Sequence, residues 1–253
     1  MNVETKIIYR TPKIEVLEKL QEADTLVFDL DDTLTTFKER YPNITRANTW
    51  GILEHFCGFR EDKRFIALIK EYFELNDQKG QEGRVKEIDT QLNVFYKGKS
   101  EKELLGFLLP PPYFQGVKAF FDRIKSFDRK FFSAIISSAP SFFVKYVAEE
   151  LKINFWEACM SEVDDKGNLT GNFKSNGLYG KGKSLTEFCE RFSRNLKKTI
   201  YQGDHHYDKK ALEIAGVGIA FQPVDGPEGE VAKASDVVLY DWMQHPLLEI
   251  LEN

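Results

Sequence analysis

The chain has 253 residues, a formal net charge of -5, a pI near 5.6, 42% hydrophobic and 30% charged residues. That length carries one substantial domain plus an insertion without any need for disulfide staples, and the acidic balance excludes a protein that binds by neutralising a phosphate polymer. Cys57, Cys159 and Cys189 are odd in number and lack C-x-x-C spacing, so they indicate neither a disulfide framework nor a zinc site but buried thiols in a reducing compartment.

Residues 1–8 lack the basic-then-apolar pattern of a signal segment, and no apolar run approaches membrane-spanning length. A cytoplasmic protein without membrane or nucleic-acid partners is expected. Ile14, Val16, Leu17 and Leu20 predict a short amphipathic helix over residues 12–22, followed by a strand over residues 25–30. From residue 34 to 113 the pattern turns helical: Phe65, Leu68, Ile69, Tyr72 and Phe73 lie on one stripe, and Val85, Ile88, Leu92 and Phe95 on another. Leu109-Pro110-Pro111-Pro112 ends this block, since consecutive prolines cannot continue a helix and make a stiff linker.

Beyond the prolines, strands and helices alternate. Val117, Phe120, Phe121 and Ile124 predict a helix, residues 131–137 a strand, and residues 141–151 a helix. Leu185, Phe188, Cys189 and Phe192 mark the next helix, followed by a strand at 199–202, a helix at 209–215, and strands at 217–221 and 237–240. Lys166-Gly167-Asn168 between β-capable flanks reads as a hairpin turn. The fold class is therefore α/β: a Rossmann-like three-layer α/β/α core with a mainly parallel sheet. The core spans residues 1–33 and 114–253, and an all-helical cap spans 34–113.

The strand at 25–30 ends in Asp29-Leu30-Asp31-Asp32-Thr33-Leu34-Thr35. Open α/β sheets bind ligands at the C-terminal ends of their strands, and carboxylates crowded there need a cation, a proton or hydrogen bonds to offset their repulsion and lost hydration. Singly, each acid could be a turn or helix cap. Together, Asp29 and Asp31, Ser137 and Ser138 after the second core strand, Lys183 at a helix start, and Asp204 and Asp208 after the strand at 199–202 converge on one sheet edge. Lys181 competes with Lys183 for the lysine position, and Ser138 with Ser137 for the hydroxyl. His205-His206 are read as spacers rather than metal ligands. Trp50 and Phe56 are candidates to line a pocket, and Arg40, Arg46, Arg60 and Arg64 are candidate anion contacts in the cap.

In order and spacing, Asp29-x-Asp31-x-Thr33, the apolar run ending in Ser137, Lys183, and Gly203-Asp204-x-x-x-Asp208 resemble the four motifs of the haloacid dehalogenase (HAD) superfamily of phosphohydrolases. Asp165-x-Gly167-x-Leu169-Thr170-Gly171, Gly180-x-Gly182-Lys183 and the segment 215–220 resemble its phosphoserine-phosphatase-like branch, subfamily IB, with a helical C1-type cap after the first motif. The resemblance implies Asp29 as nucleophile, Asp31 as general acid and base, and Lys183 as the neutralising cation. It implies Ser137 or Ser138 as hydrogen-bond donor to a phosphoryl oxygen, and Mg2+ held by Asp29, Asp31 through its carbonyl, and Asp204, with Asp208 supporting. The implied activity is Mg-dependent hydrolysis of a small phosphorylated metabolite. Phosphoryl transfer to another acceptor and a catalytically silent binding protein share these residues. A signalling receiver domain does not fit, because its phosphorylated aspartate follows a later strand.

Overall fold

Apolar runs bounded by polar turns become the strands, and the computed structural model describes them within residues 7–76, 81–174 and 180–252. Of the N-terminal segment read above, residues 1–6 lie outside the described residues. The strands are β1 (Ile7–Tyr9), β2 (Thr25–Phe28), β3 (Phe132–Pro140), β4 (Phe155–Val163), β5 (Leu169–Lys174), β6 (Thr199–Gly203), β7 (Val217–Phe221) and β8 (Val237–Leu239). They join in the order β1-β8-β7-β6-β2-β3-β4-β5. The pairs from β8 to β4 are parallel, and the edges β1/β8 and β4/β5 are antiparallel.

β2 is buried on both sides, and its side chains alternate between two cores. Leu26 and Phe28 join Val16 and Leu20 of helix α1 (Lys13–Glu22), Phe120 and Phe121 of α6 (Val117–Ser126), and Phe143 of α7 (Ser141–Glu150). Val27 faces the opposite core, with Leu185 and Phe188 of α8 (Lys181–Arg191), Leu212 of α9 (Lys209–Ile214) and Val231 of α10 (Glu230–Lys233). These are the three layers the strand–helix alternation predicts. Burying one such Phe or Leu stabilises the fold by roughly 1.5–3 kcal/mol.

Between β2 and α6 the regular elements among the described residues are helices: α2 (Thr49–Phe56), α3 (Lys63–Asn76), α4 (Glu82–Asn93) and α5 (Glu101–Leu108), with short 3-10 turns at Phe59–Glu61 and Val94–Tyr96. Their apolar stripes, including Ile52, Leu53, Phe65, Ile88, Leu104 and Leu108, run into the same core as Phe28. The outgoing and returning chains lie side by side, Thr36 N–H donating to Pro112 (2.8 Å) and Phe114 N–H to Leu34 (3.1 Å).

Four elements lie outside the sequence expectations, one of them the four-residue α10. β1 has only three residues and pairs antiparallel at the sheet edge. β4 begins at Phe155 and pairs with β3 before entering the expected hairpin with β5. A last helix, α11 (Pro246–Glu252), packs beside α1.

β2 lies between β3 and β6, so chain order reverses about it, and the crevice beyond its C-terminal end is where such sheets bind ligands. The residues before α11 support this crevice from behind. The Trp242 indole N–H donates to the Thr33 carbonyl (3.2 Å). The buried His245 accepts the Leu247 N–H at Nδ1 (3.2 Å), so Nε2 carries the proton toward Gln202 Oε1 (3.1 Å). The Gln202 carbonyl in turn accepts the Asp29 N–H at 2.9 Å.

Burial pushes the His245 imidazole down from 6.5 to about 3. The unfolded chain therefore takes up a proton that the folded one refuses. The stability held by the neutral ring is complete above about pH 6.5 and is lost as pH falls toward 3. Within that window His245 is expected to cost about 1.4 kcal/mol of unfolding free energy per pH unit. Urea unfolding between pH 7 and 4.5 should show a shallower acid dependence for His245→Asn than for the wild type.

Candidate active site

Asp29 is the first residue beyond β2, 5% exposed, with its main chain tied to β6. Its carboxylate accepts from Lys181 Nζ at 2.8 Å, and the same ammonium reaches Asp208 Oδ1 at 2.8 Å. Asp208 is fully buried. It also accepts the Tyr201 hydroxyl (2.7 Å) on Oδ1 and the His205 N–H (3.0 Å) on Oδ2. That carboxylate folds back against β6 because residue 203 is glycine, where a Cβ would stand 2.4 Å from the Asp208 carboxyl carbon.

Asp204 is 6% exposed and accepts the Thr33 hydroxyl at 3.1 Å. Carboxylate oxygens of Asp29, Asp204 and Asp208 lie within 4.8 Å of one another. Three buried carboxylates thus share one ammonium. Burial pushes the Asp29 carboxyl up, Lys181 opposes this, and Asp208 adds to it. Asp204 is held well above the carboxylate range by burial and by Asp208 and Asp29. Burial alone would lower the Lys181 ammonium, but Asp208 and Asp29 outweigh it and hold its pKa above the ordinary lysine value.

A hard divalent cation fits this donor set, because it prefers carboxylate oxygens and would supply the missing positive charge. Asp29 and Asp204 offer the ligand atoms. Asp208, already accepting three hydrogen bonds, is positioned to hold Lys181. The carboxylate of Asp31 is not part of this group. It turns toward α2 and accepts the hydroxyl (2.6 Å) and N–H (3.1 Å) of Thr49 at Oδ1. Burial pushes Asp31 up to about 7, against the Thr49 hydroxyl and reinforced by Asp29.

The loop carrying these acids is tightly wound. The Leu30 carbonyl accepts the N–H groups of Thr33, Leu34 and Thr35, and Asp32 adopts the left-handed conformation (φ 56°), which aspartate tolerates better than most residues. Asp32 Oδ2 pairs with Lys38 at 3.1 Å, while its buried Oδ1 has no hydrogen-bond partner.

The lysine of this site is Lys181, which corrects the assignment of Lys183. Two helical positions turn the side chain by about 200°. Lys181 lies on the buried face of α8 with Leu185 and Phe188, whereas Lys183 is exposed and pairs with Glu187 at 3.5 Å. This was readable from the sequence, since 181, 185 and 188 form the apolar stripe and Lys183 with Glu187 an i, i+4 ion pair.

Ser137 is 9% exposed, and its hydroxyl accepts the Ala139 N–H at 3.2 Å. Ser138 presents its carbonyl to the Trp50 indole N–H at 2.9 Å. Trp50 therefore reaches the C-terminal part of β3, whereas Phe56 is 41% exposed and stacks on Phe107. Arg46 and Arg60 are bound to the buried Glu54 (3.0 and 3.4 Å), and Arg40 to the Pro110 carbonyl (2.5 Å). The Arg64 main-chain N–H caps onto Asp62. His205 and His206 contribute no side chain to the carboxylate group. Thr33 belongs to the first motif, and its hydroxyl reaches Asp204; Thr49 and Tyr201 lie outside every motif, because hydroxyls at these positions match no spacing rule.

Strand-end acids, an inward lysine and an insert after the first motif are the arrangement that the resemblance implies. A family model described as haloacid dehalogenase-like hydrolase matches residues 26–213, and the chain belongs to that family. Within it, the sequence is 30% identical over 90 residues to a phosphoserine phosphatase of Saccharomyces cerevisiae (35% of this chain, 29% of that protein). It is 27% identical over 103 residues to one of Haemophilus influenzae (39% of this chain, 32% of that protein). The matches thus span less than a third of the length of these curated relatives.

Solved structures share the fold. A HAD family hydrolase from Salmonella enterica subsp. enterica serovar Typhi superposes with a TM-score of 0.68 at 19% identity, over 90% of this chain and 71% of that one. A substrate-bound phosphoserine phosphatase gives 0.64 at 19% identity, over 91% and 97%. A cytosolic 5'-nucleotidase IIIB bound to cytidine gives 0.67 at 16% identity, over 99% and 94%.

Removing the inward lysine leaves buried carboxylates without a counter-charge. Lys181→Met should lower the unfolding free energy by roughly 3–5 kcal/mol, and Lys183→Met should change it by no more than about 0.5 kcal/mol. Denaturant titration of the two variants checks this, and equal effects would contradict the placement of the lysine.

Proposed function

We propose that the protein is a magnesium-dependent phosphomonoesterase that hydrolyses a small phosphorylated metabolite through an aspartyl-phosphate. The observation that carries this is the convergence of Asp29, Asp204, Asp208 and Lys181 within one buried cluster at the switch point of the sheet. The family membership supports the reaction class. The fold shared with a phosphoserine phosphatase and a nucleotidase supports a small phosphorylated substrate.

A carboxylate oxygen of Asp29 attacks phosphorus as the ester P–O bond breaks, and a carboxylate needs no separate base to be nucleophilic. Asp31, carrying a proton, gives it to the leaving oxygen. It then takes a proton from the water that attacks phosphorus, breaks the acyl-phosphate bond and regenerates Asp29. Lys181 neutralises charge shared between Asp29 and the phosphoryl group. Asp208 and Tyr201 fix the position of the ammonium, and Ser137 or Ser138 donates to a phosphoryl oxygen. Asp29, the Asp31 carbonyl and Asp204 would hold Mg2+, which when bound supplies electrostatic stabilisation of the transferring phosphoryl group. Residues 34–113 act as a cap over the crevice and keep bulk water from the intermediate. Three free cysteines, two of them buried, accord with a cytoplasmic setting.

Phosphate release from p-nitrophenyl phosphate, measured with Mg2+ and with excess chelator, tests the reading. Activity is expected with the metal only, and Asp29→Asn should reduce it by roughly 10³-fold or more. A folded wild-type protein that releases no phosphate from this ester or from a panel of phosphorylated metabolites would refute it.

A further inference from the structure

The first two residues of α2 reach across to the motif loops of the sheet. Asn48 caps the helix by accepting the Gly51 N–H at 2.9 Å. The Thr49 N–H, at the first helical position, has no intrahelical acceptor by geometry. It goes instead to Asp31 Oδ1 (3.1 Å), joined there by the Thr49 hydroxyl at 2.6 Å. The next residue, Trp50, donates to the Ser138 carbonyl. Thr49 is fully buried, and among the described residues Asp31 Oδ2 takes no hydrogen bond.

We propose that Thr49 is the positioning residue for proton transfer by Asp31, gripping Oδ1 with two donors so that Oδ2 alone faces the leaving oxygen. This rests on the phosphomonoesterase reading. The grip survives both protonation states. When Oδ2 carries the proton, Oδ1 is a carbonyl oxygen and still accepts. After the proton has passed to the leaving oxygen, Oδ1 is half of a carboxylate and accepts more strongly. The carboxyl plane therefore keeps its orientation through the step. Because the donor belongs to the inserted helix, the acid is aligned only while α2 is seated on the sheet, with Trp50 as its second attachment.

Leaving-group dependence separates positioning from mere structural support, since kcat/KM reports formation of the aspartyl-phosphate. β-Glycerophosphate expels a poor alkoxide that must be protonated, whereas p-nitrophenolate departs without help. Thr49→Val keeps the shape and the N–H but removes the hydroxyl. It should lower kcat/KM for β-glycerophosphate by about tenfold or more, with less than about a threefold change for p-nitrophenyl phosphate. Thr49→Ser should restore the first value. An equal loss on both esters, no loss on either, or failure of serine to rescue would overturn the proposal. If Thr49→Val does not fold, Thr49→Ala carries the same comparison. A wild-type protein inactive on both esters would overturn the phosphatase reading itself, whereas an active wild type with an unchanged leaving-group pattern would overturn only the role of Thr49.

Discussion

Three buried carboxylates around one ammonium are the constraint to which the rest of the site answers. Asp29, Asp204 and Asp208 lie within 4.8 Å of each other, and Lys181 supplies the positive charge they share. Burying charge without compensation costs several kcal/mol per ion. The surrounding structure therefore spends its polar groups here: the Tyr201 hydroxyl and His205 N–H on Asp208, and the Thr33 hydroxyl on Asp204. The deficit left over is what a divalent cation would remove. The same imbalance holds the Lys181 ammonium charged while leaving Asp29 and Asp204 raised.

The fold delivers these groups with little freedom. β2 is locked between β3 and β6, so Asp29 and Asp204 emerge together at the point where strand order reverses. The Leu30 carbonyl gathers three N–H groups, and Trp242 and His245 brace the loop and its neighbour β6 from the rear. Stiffness of this kind suits the nucleophilic role proposed for Asp29, which depends on approach geometry. Asp31 is the exception, because the inserted helix sets its orientation and the sheet does not.

Much of this was legible in the sequence. The strands expected at 25–30, 199–202 and 217–221 form as β2, β6 and β7, and the acids that follow β2 and β6 stand out by chemistry and spacing together. The pattern Gly180-x-Gly182-Lys183 favours Lys183, yet the helical phase of Leu185 and Phe188 points to Lys181. β1 escaped because three residues on an antiparallel edge carry too little periodicity to register. Thr49 and Tyr201 escaped for another reason: a hydroxyl that serves a carboxylate seven or more residues away leaves no local signature. The insert's helices were visible, but the way α2 meets Asp31 was not, because it depends on how one layer seats on another.

The indole of Trp242 bonds to the carbonyl of Thr33 across 209 positions of sequence. The loop that bears Asp29 and Asp31 is synthesised long before its brace, so the nascent chain carries these acids before the group that supports their loop exists. A chain cut short before residue 242 would carry the motif acids but lack the indole that braces their loop.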